Sequence, residues 1–314
     1  MGYRTGVITD ADPAARMIEQ IEAEMTAQGT WEFVEQVTVS AIIYRVWRCR
    51  GTGNNANVFG QPFHVALYRS SATAFSVKVF EHWRTDTKRL IRPTRGNSTA
   101  SAPNATTFAF GDETNGFTLD TAAGATGNGF SGLVTTGLDY FIQVSRNRVW
   151  VGIKQGTSDA AISFGIFETL MVAGDPFPLY SLNTGSLNGS EFSMTDMVGW
   201  SRHPNVTTSL SSNFCARAWT AHGPMVGGVN STNADRLQGV GAILISRCRV
   251  ETLGVLQSQH LASAVGWIRG LLYDTIRLQE VGSSRSGDTI TIGGQVYVLF
   301  FNGSTRYWVL RDAA

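Results

Sequence analysis

The residues able to do acid–base or metal chemistry are thinly spread. The five histidines are His64, His82, His203, His222 and His260, and none is paired at metal-ligand spacing. His203 precedes Pro204 and His222 precedes Gly223-Pro224, which reads as loop; His64 and His82 fall in strand-like text. Ser and Asp are so common that a triad could be drawn around any of them, and such a count decides nothing. Gly127, Gly129 and Gly132 match GxGxxG. A dinucleotide loop needs a strand before it and a helix after it. Here Gly and Ala precede the match and LVTTG follows, so it reads as a Gly-rich loop. There is no Walker A run and no GxSxG elbow. Sugar-cleaving enzymes hold two carboxylates at a defined separation. Asp112, Glu113, Asp120, Asp139, Glu168 and Asp175 are candidates by number alone, and no acidic run has the density of a calcium loop.

Cys49, Cys215 and Cys248 show no CxxC spacing, so neither a disulfide framework nor a zinc site is expected. Eight tryptophans are many for this length: Trp31, Trp47, Trp83, Trp150, Trp200, Trp219, Trp267 and Trp308. Exposed on a β-sandwich they would stack on sugar rings; buried they would be core. The residues thus predict no catalysis, no cofactor and no metal.

Composition narrows the class. Charged residues make up 16% of the 314, against about 25% in a typical soluble domain. Gly is high at 34 and aromatics reach 11%, which suits an all-β chain with many turns. Low charge also suits a surface spent on neighbours. Net charge is +1, without the basic surplus that draws nucleic acid. No apolar run is long enough to span a membrane. The opening residues, MGYRTGVITDADPAARM, lack the apolar run of a secretory signal, so synthesis in the cytoplasm is expected.

The elements that must carry these residues are mostly strands. One helix is signalled near the start. Asp12 can cap it, Pro13 suits its first position, and Gly29 suits its end. Met17, Ile18, Ile21 and Met25 share one face, while Glu19, Glu22 and Glu24 lie elsewhere on the cylinder. A helix with so narrow a stripe is marginal alone. The stripe packs either on the chain's own β-core or on a neighbouring subunit. Strand text follows in Trp31–Arg50, Phe63–Arg69 and Ala74–Trp83, where Phe75, Val77 and Val79 oppose Ser76, Lys78 and Phe80. Loops are expected over 51–62, 92–107 and 122–132, with short strands at Phe108–Phe110 and Gly116–Leu119. Tyr140–Lys154 reads as a hairpin turning at Arg146-Asn147-Arg148, and Ile162–Leu170 closes the first half. Asp175-Pro-Phe-Pro breaks the pattern.

Past that break, Tyr180–Ala234 is irregular, Val240–Val250 reads as buried strand, and Leu253–Arg269 is short helix or irregular. Asp288–Asp312 is a β-meander. Gly293-Gly294 makes a two-residue turn whose type I′ form needs positive φ at both positions. The strand after it is apolar on both faces and should be covered on both. The expected fold is all-β and mainly antiparallel. Residues 1–30 hold the helix, 31–175 a β-sandwich, and 176–314 a smaller β-rich, barrel-like domain ending in the meander.

Several segments together carry a resemblance. They are W-x-F-V-x-x-V-x-V from Trp31, F-E-H-W at Phe80–Trp83, YFIQVSRNRVWVGI at Tyr140–Ile153, FGIFETL at Phe164–Leu170 and DPFPLY at Asp175–Tyr180. RGLLYDTI at Arg269–Ile276 and GDTITIGGQVYVLF at Gly287–Phe300 complete the set. They resemble virion structural proteins of tailed bacteriophages, found among tail, baseplate and neck genes. The resemblance brings no catalytic residues. It implies a β-rich building block of the virion that assembles in several copies with itself and other virion proteins. The expected contact surfaces are Met17, Ile18, Ile21 and Met25 on the helix, and Tyr307 and Trp308 on the meander. The alternative is a carbohydrate-binding module that recognises a host surface glycan through exposed Trp.

Overall fold

The computed structural model describes residues 2–50, 62–93, 118–119, 128–166, 168–169, 179–183, 214–218, 244–253, 266–279, 285–302 and 306–311. In chain order its elements begin with β1 (Gly2–Ile8), α1 (Pro13–Gln28), β2 (Trp31–Val39), β3 (Ile42–Cys49), β4 (Phe63–Ser71), β5 (Ala74–Arg84) and β6 (Arg89–Pro93). Next come β7 (Asn128–Phe130), β8 (Leu138–Val144), β9 (Arg148–Gln155), β10 (Ser158–Ile166), β11 (Glu168–Thr169) and β12 (Leu179–Asn183). The last are β13 (Phe214–Ala218), β14 (Leu244–Leu253), β15 (Gly266–Gln279), β16 (Thr289–Ile292), β17 (Gln295–Asn302) and β18 (Arg306–Arg311). The fold is all-β and antiparallel with one N-terminal helix, as the sequence predicts. The expected strands at Phe108–Phe110 and Gly116–Leu119, the loops at 51–62 and 92–107, and the segment after Leu253 lie largely outside the described residues.

Alternation builds the sandwich. Tyr140, Ile142 and Val144 of β8, Val149, Val151 and Ile153 of β9, and Ile162, Phe164 and Ile166 of β10 all point the same way. They face Trp47 and Cys49 of β3, Val65 and Leu67 of β4, and Phe75, Val77 and Val79 of β5 across one buried core. The first sheet runs β1-β8-β9-β10-β12 and the second β2-β3-β4-β5-β6, with β7 also on β5.

Helix α1 closes this sandwich. Asp12 accepts from the Ala15 amide at 2.9 Å, Pro13 opens the helix, and Gly29 ends it at φ 76°. The helix packs on β1 and β8 of one sheet and on β2, β4 and β5 of the other. Met17, Ile21 and Met25 are 0% exposed and Ile18 is 6%. That corrects the expectation of a subunit contact there. The stripe is consumed by the chain's own core, because a marginal helix gains its stability from tertiary packing.

Three elements differ from the sequence reading. β1 is a full strand, registered Gly2↔Val144 to Ile8↔Leu138. The run Trp31–Arg50 is a hairpin, not one strand: Ser40 and Ala41 turn with φ 49° and 66°, and Val39 faces Ile42. Residues 128–130, expected as loop, pair with β5.

The third sheet runs β13-β14-β15-β18-β17-β16, with β11 on β15. Gly293 and Gly294 turn at φ 58° and 80°, as a type I′ hairpin requires. Val298, Leu299 and Phe300 are each 0% exposed, so β17 is covered on both faces. Phe300 lies on Gly152, 3.1 Å from where a Cβ would stand, with its ring centroid 5.9 Å from that of Trp150. This sheet therefore rests on the outer face of the first. A division at residue 175 does not separate them. β12, beyond it, extends the first sheet at Ile162↔Asn183, while β11, before it, pairs in the third sheet at Glu168↔Leu271. Nor is the meander free-standing, since Thr275 of β15 pairs with Val309 of β18. Trp308, expected at a subunit contact, is 1% exposed and clusters with Leu299, Ile290 and Tyr297. The Tyr307 side chain lies outside the described residues.

Candidate functional site

Polar side chains inside a β-fold need partners, so the buried ones show where function or fastening is concentrated. The outer face of the second sheet carries the first group. Parity in β5 turns Lys78 away from Phe75, Val77 and Val79, onto a face of Tyr44, Val46, Ala66, Tyr68 and Phe80. Lys78 is 5% exposed. Its ammonium lies 5.4 Å and 5.2 Å from the ring centroids of Tyr44 and Tyr68, and it donates to the Leu119 carbonyl. Ring faces and a carbonyl hold a cation; they do not ready an amine for nucleophilic attack.

His64 shares this sheet. Its ring stacks on Phe80 at 5.9 Å and 6°, and Nδ1 donates to the Glu81 carbonyl at 3.1 Å. Burial pushes its pKa down to about 4. A neutral imidazole spent on a backbone carbonyl, not a carboxylate, is placed for packing. Glu35 accepts from Trp83 Nε1 at 2.6 Å and pairs with Lys88. Burial works to raise its pKa, but Lys88 and Trp83 hold it below the usual carboxylate value.

The second group fastens α1. Glu22 accepts from Trp47 Nε1 at 2.7 Å and pairs with Arg45. Glu24 pairs with Arg4 at 2.6 Å, and Gln20 accepts from Arg4 at 2.7 Å and from Tyr140 at 3.1 Å. Each sheet thus sends a basic and an aromatic donor to the helix. Glu22 and Glu24, placed by the sequence away from the apolar stripe, are buried; Glu19 alone of the three is exposed. Arg4 and Arg45, charged residues within strands, were the sequence signal for these anchors.

The motif candidates resolve as follows. Gly129 lies in β7, where a Cβ would overlap the Phe75 carbonyl; Gly132 turns at φ 73°, and no helix follows. Gly127 and most of the carboxylate candidates lie outside the described residues, as do His203, His222 and His260. Among the described residues no group of three His, Cys, Asp or Glu could hold a metal ion. Trp31, Trp47, Trp83, Trp150 and Trp308 are all buried, and the side chains of Trp200, Trp219 and Trp267 are outside the described residues. Among the described residues no helix is long and apolar enough to cross a membrane.

What the described surface does offer is apolar strand. Val7 on β1 is 60% exposed, Phe33 on β2 43% and Ile43 on β3 50%. Phe33 stands edge-on to Trp47 at 5.5 Å, with the Arg45 guanidinium 5.1 Å from its ring centroid. β1 and β2 are end strands of the first and second sheets among the described residues. Fold and surface together define an antiparallel, β-sandwich-like protein braced by one N-terminal helix. No protein-family model matches the chain, and no curated protein is significantly similar to it.

Proposed function

We propose that the chain is a non-catalytic structural component of a tailed-phage particle, built into the tail tip, baseplate or collar. It acts by multivalent contact with copies of itself and with other virion proteins. The observation that carries this reading is the set of exposed apolar residues, Val7, Phe33 and Ile43, on or beside two sheet ends. An end strand presents unpaired backbone groups, and apolar side chains upon it favour pairing with another chain. The charged content of 16% supports the same reading, as does the resemblance of the segments at Trp31, Tyr140–Ile153 and Gly287–Phe300 to tailed-phage virion proteins. The buried polar groups support it too, since they fasten strands to helix. Mass spectrometry of gradient-purified particles from the source of this sequence tests it. The expected result is peptides of this chain at several copies per particle. Absence from particles, with the purified chain monomeric, overturns it.

A further inference from the structure

Among the described residues, strand β1 lacks the features that usually guard a sheet edge. Natural edges are protected by Lys, Pro, a bulge or a covering element. β1 reads GYRTGVI, and its register with β8 runs from Gly2↔Val144 to Ile8↔Leu138 without a shift. Its single charge is withdrawn: Arg4 points to the helix side, bound to Gln20 and Glu24. On that same inner side Ile8 is 2% exposed, and a Cβ at Gly6 would stand 2.8 Å from the Tyr140 hydroxyl. The outer side carries Tyr3, Thr5 and Val7, with Thr5 and Val7 exposed. Arg311 of β18 lies 4.8 Å from the Tyr3 ring centroid.

We propose that β1 pairs antiparallel with β1 of a second copy, in the register that sets Thr5 opposite Thr5, making one sheet continuous across a two-fold axis. Of the registers centred on the three middle residues, Arg4, Thr5 and Gly6, that one alone is self-complementary. Tyr3 then faces Val7 of the other copy, and Arg4 faces Gly6. Thr–Thr and aromatic–β-branched pairs are favoured across strands, and like charges opposite each other are disfavoured. Centring on Arg4 would set two guanidiniums against each other. Centring on Gly6 would set Arg4 against Ile8 and leave glycine opposite glycine. A two-fold axis gives both copies the same contact, as most homodimers do. A seven-residue strand is small beside the roughly 800 Å² per partner of a stable interface. Pairing in solution is therefore concentration-dependent, and multivalency holds it in an assembly. The inference deepens the assembly reading and rests on it only for its biological setting.

Disulfide trapping tests the register. Residues opposite each other in an antiparallel pair have Cα atoms about 4.5–5.5 Å apart, within disulfide reach. Thr5→Cys under mild oxidation is expected to give a covalent dimer. Val7→Cys is expected to stay monomeric, because two position-7 residues would lie roughly 13 Å apart along the strands. Val7→Cys mixed with Tyr3→Cys is expected to give the heterodimer. The unaltered chain, with its own three cysteines, is the blank. In sedimentation, Val7→Lys sets an ammonium opposite Tyr3 and its Arg311, and the dimer dissociation constant is expected to rise about tenfold or more. Its melting temperature should stay unchanged, since position 7 is 60% exposed. A chain monomeric at every concentration overturns the proposal, as does Val7→Cys crosslinking as well as Thr5→Cys. Failure of the crosslink in a chain found in particles sinks the register and spares the assembly reading. A Thr5-centred dimer absent from particles does the reverse.

Discussion

Glu22 and Lys78 meet the same problem, a charge inside a β-fold, with different partners. Glu22 is held between an indole and a guanidinium, Lys78 between two phenol rings and a carbonyl. His64 instead gives up its charge. Its folded pKa of about 4 lies below the ordinary 6.5. The unfolded chain therefore binds the proton more readily, and stability rises with pH across this window. The contribution is complete above pH 6.5 and is lost as pH falls towards 4, about 3 kcal/mol in all. His64→Gln keeps a donor for the Glu81 carbonyl and does not titrate. Urea unfolding of the variant between pH 7 and 4 should show a shallower loss than the parent, by that amount; an unchanged slope would remove His64 as its source. Strand parity in the sequence already set Lys78 opposite Phe75, Val77 and Val79. That this face is covered, and that Glu22 and Glu24 are buried, was not legible. Their partners stand on other elements, as Arg45 does 23 residues from Glu22.

At the level of elements, local chemistry was readable and long-range pairing was not. Asp12, Pro13 and Gly29 mark α1 because capping depends on a few neighbouring atoms. β1 escaped because its partner lies far along the chain, Tyr3 facing Gln143, and two glycines blur its alternation. The Ser40-Ala41 turn escaped because both residues take a positive φ that glycine or asparagine usually supplies. Asp12 has two tasks: one oxygen caps the Ala15 amide, and the other pairs with Arg69 of β4. Asp12→Ala should cost about 1–2 kcal/mol, since the cap is lost and α1 braces both sheets. Asp12→Asn keeps the cap and gives up only a half-exposed ion pair, so it should cost less than about 1 kcal/mol. Chemical denaturation ranks the two. Equal losses would assign Asp12's value to the ion pair with Arg69 and not to the cap.

For the whole molecule, the two halves of the chain exchange strands. β12 leaves the second half to extend the first sheet, and β11 leaves the first half to pair in the third. A boundary read from Asp175-Pro-Phe-Pro therefore does not mark a gap between two cores, because strands on either side of it cross over. The contact between the sheets is centred on Phe300, which fills the space left by the absent side chain of Gly152 beside Trp150. The Ser286 amide donates to the Asp159 carboxylate at 3.3 Å, and Gly287 lies against the Phe141 ring, with no room for a Cβ between them. Sheets joined by shared strands and one buried aromatic should unfold together. In the parent, tryptophan fluorescence and far-UV circular dichroism should trace a single coincident transition. Phe300→Ala opens a cavity at the contact and should cost about 3–5 kcal/mol. With that contact gone, the third sheet is held to the first chiefly by strand exchange. Fluorescence and dichroism should then separate, the third sheet melting first. A parent that already unfolds in two steps would break the argument, because Phe300 would then join two units that are stable apart.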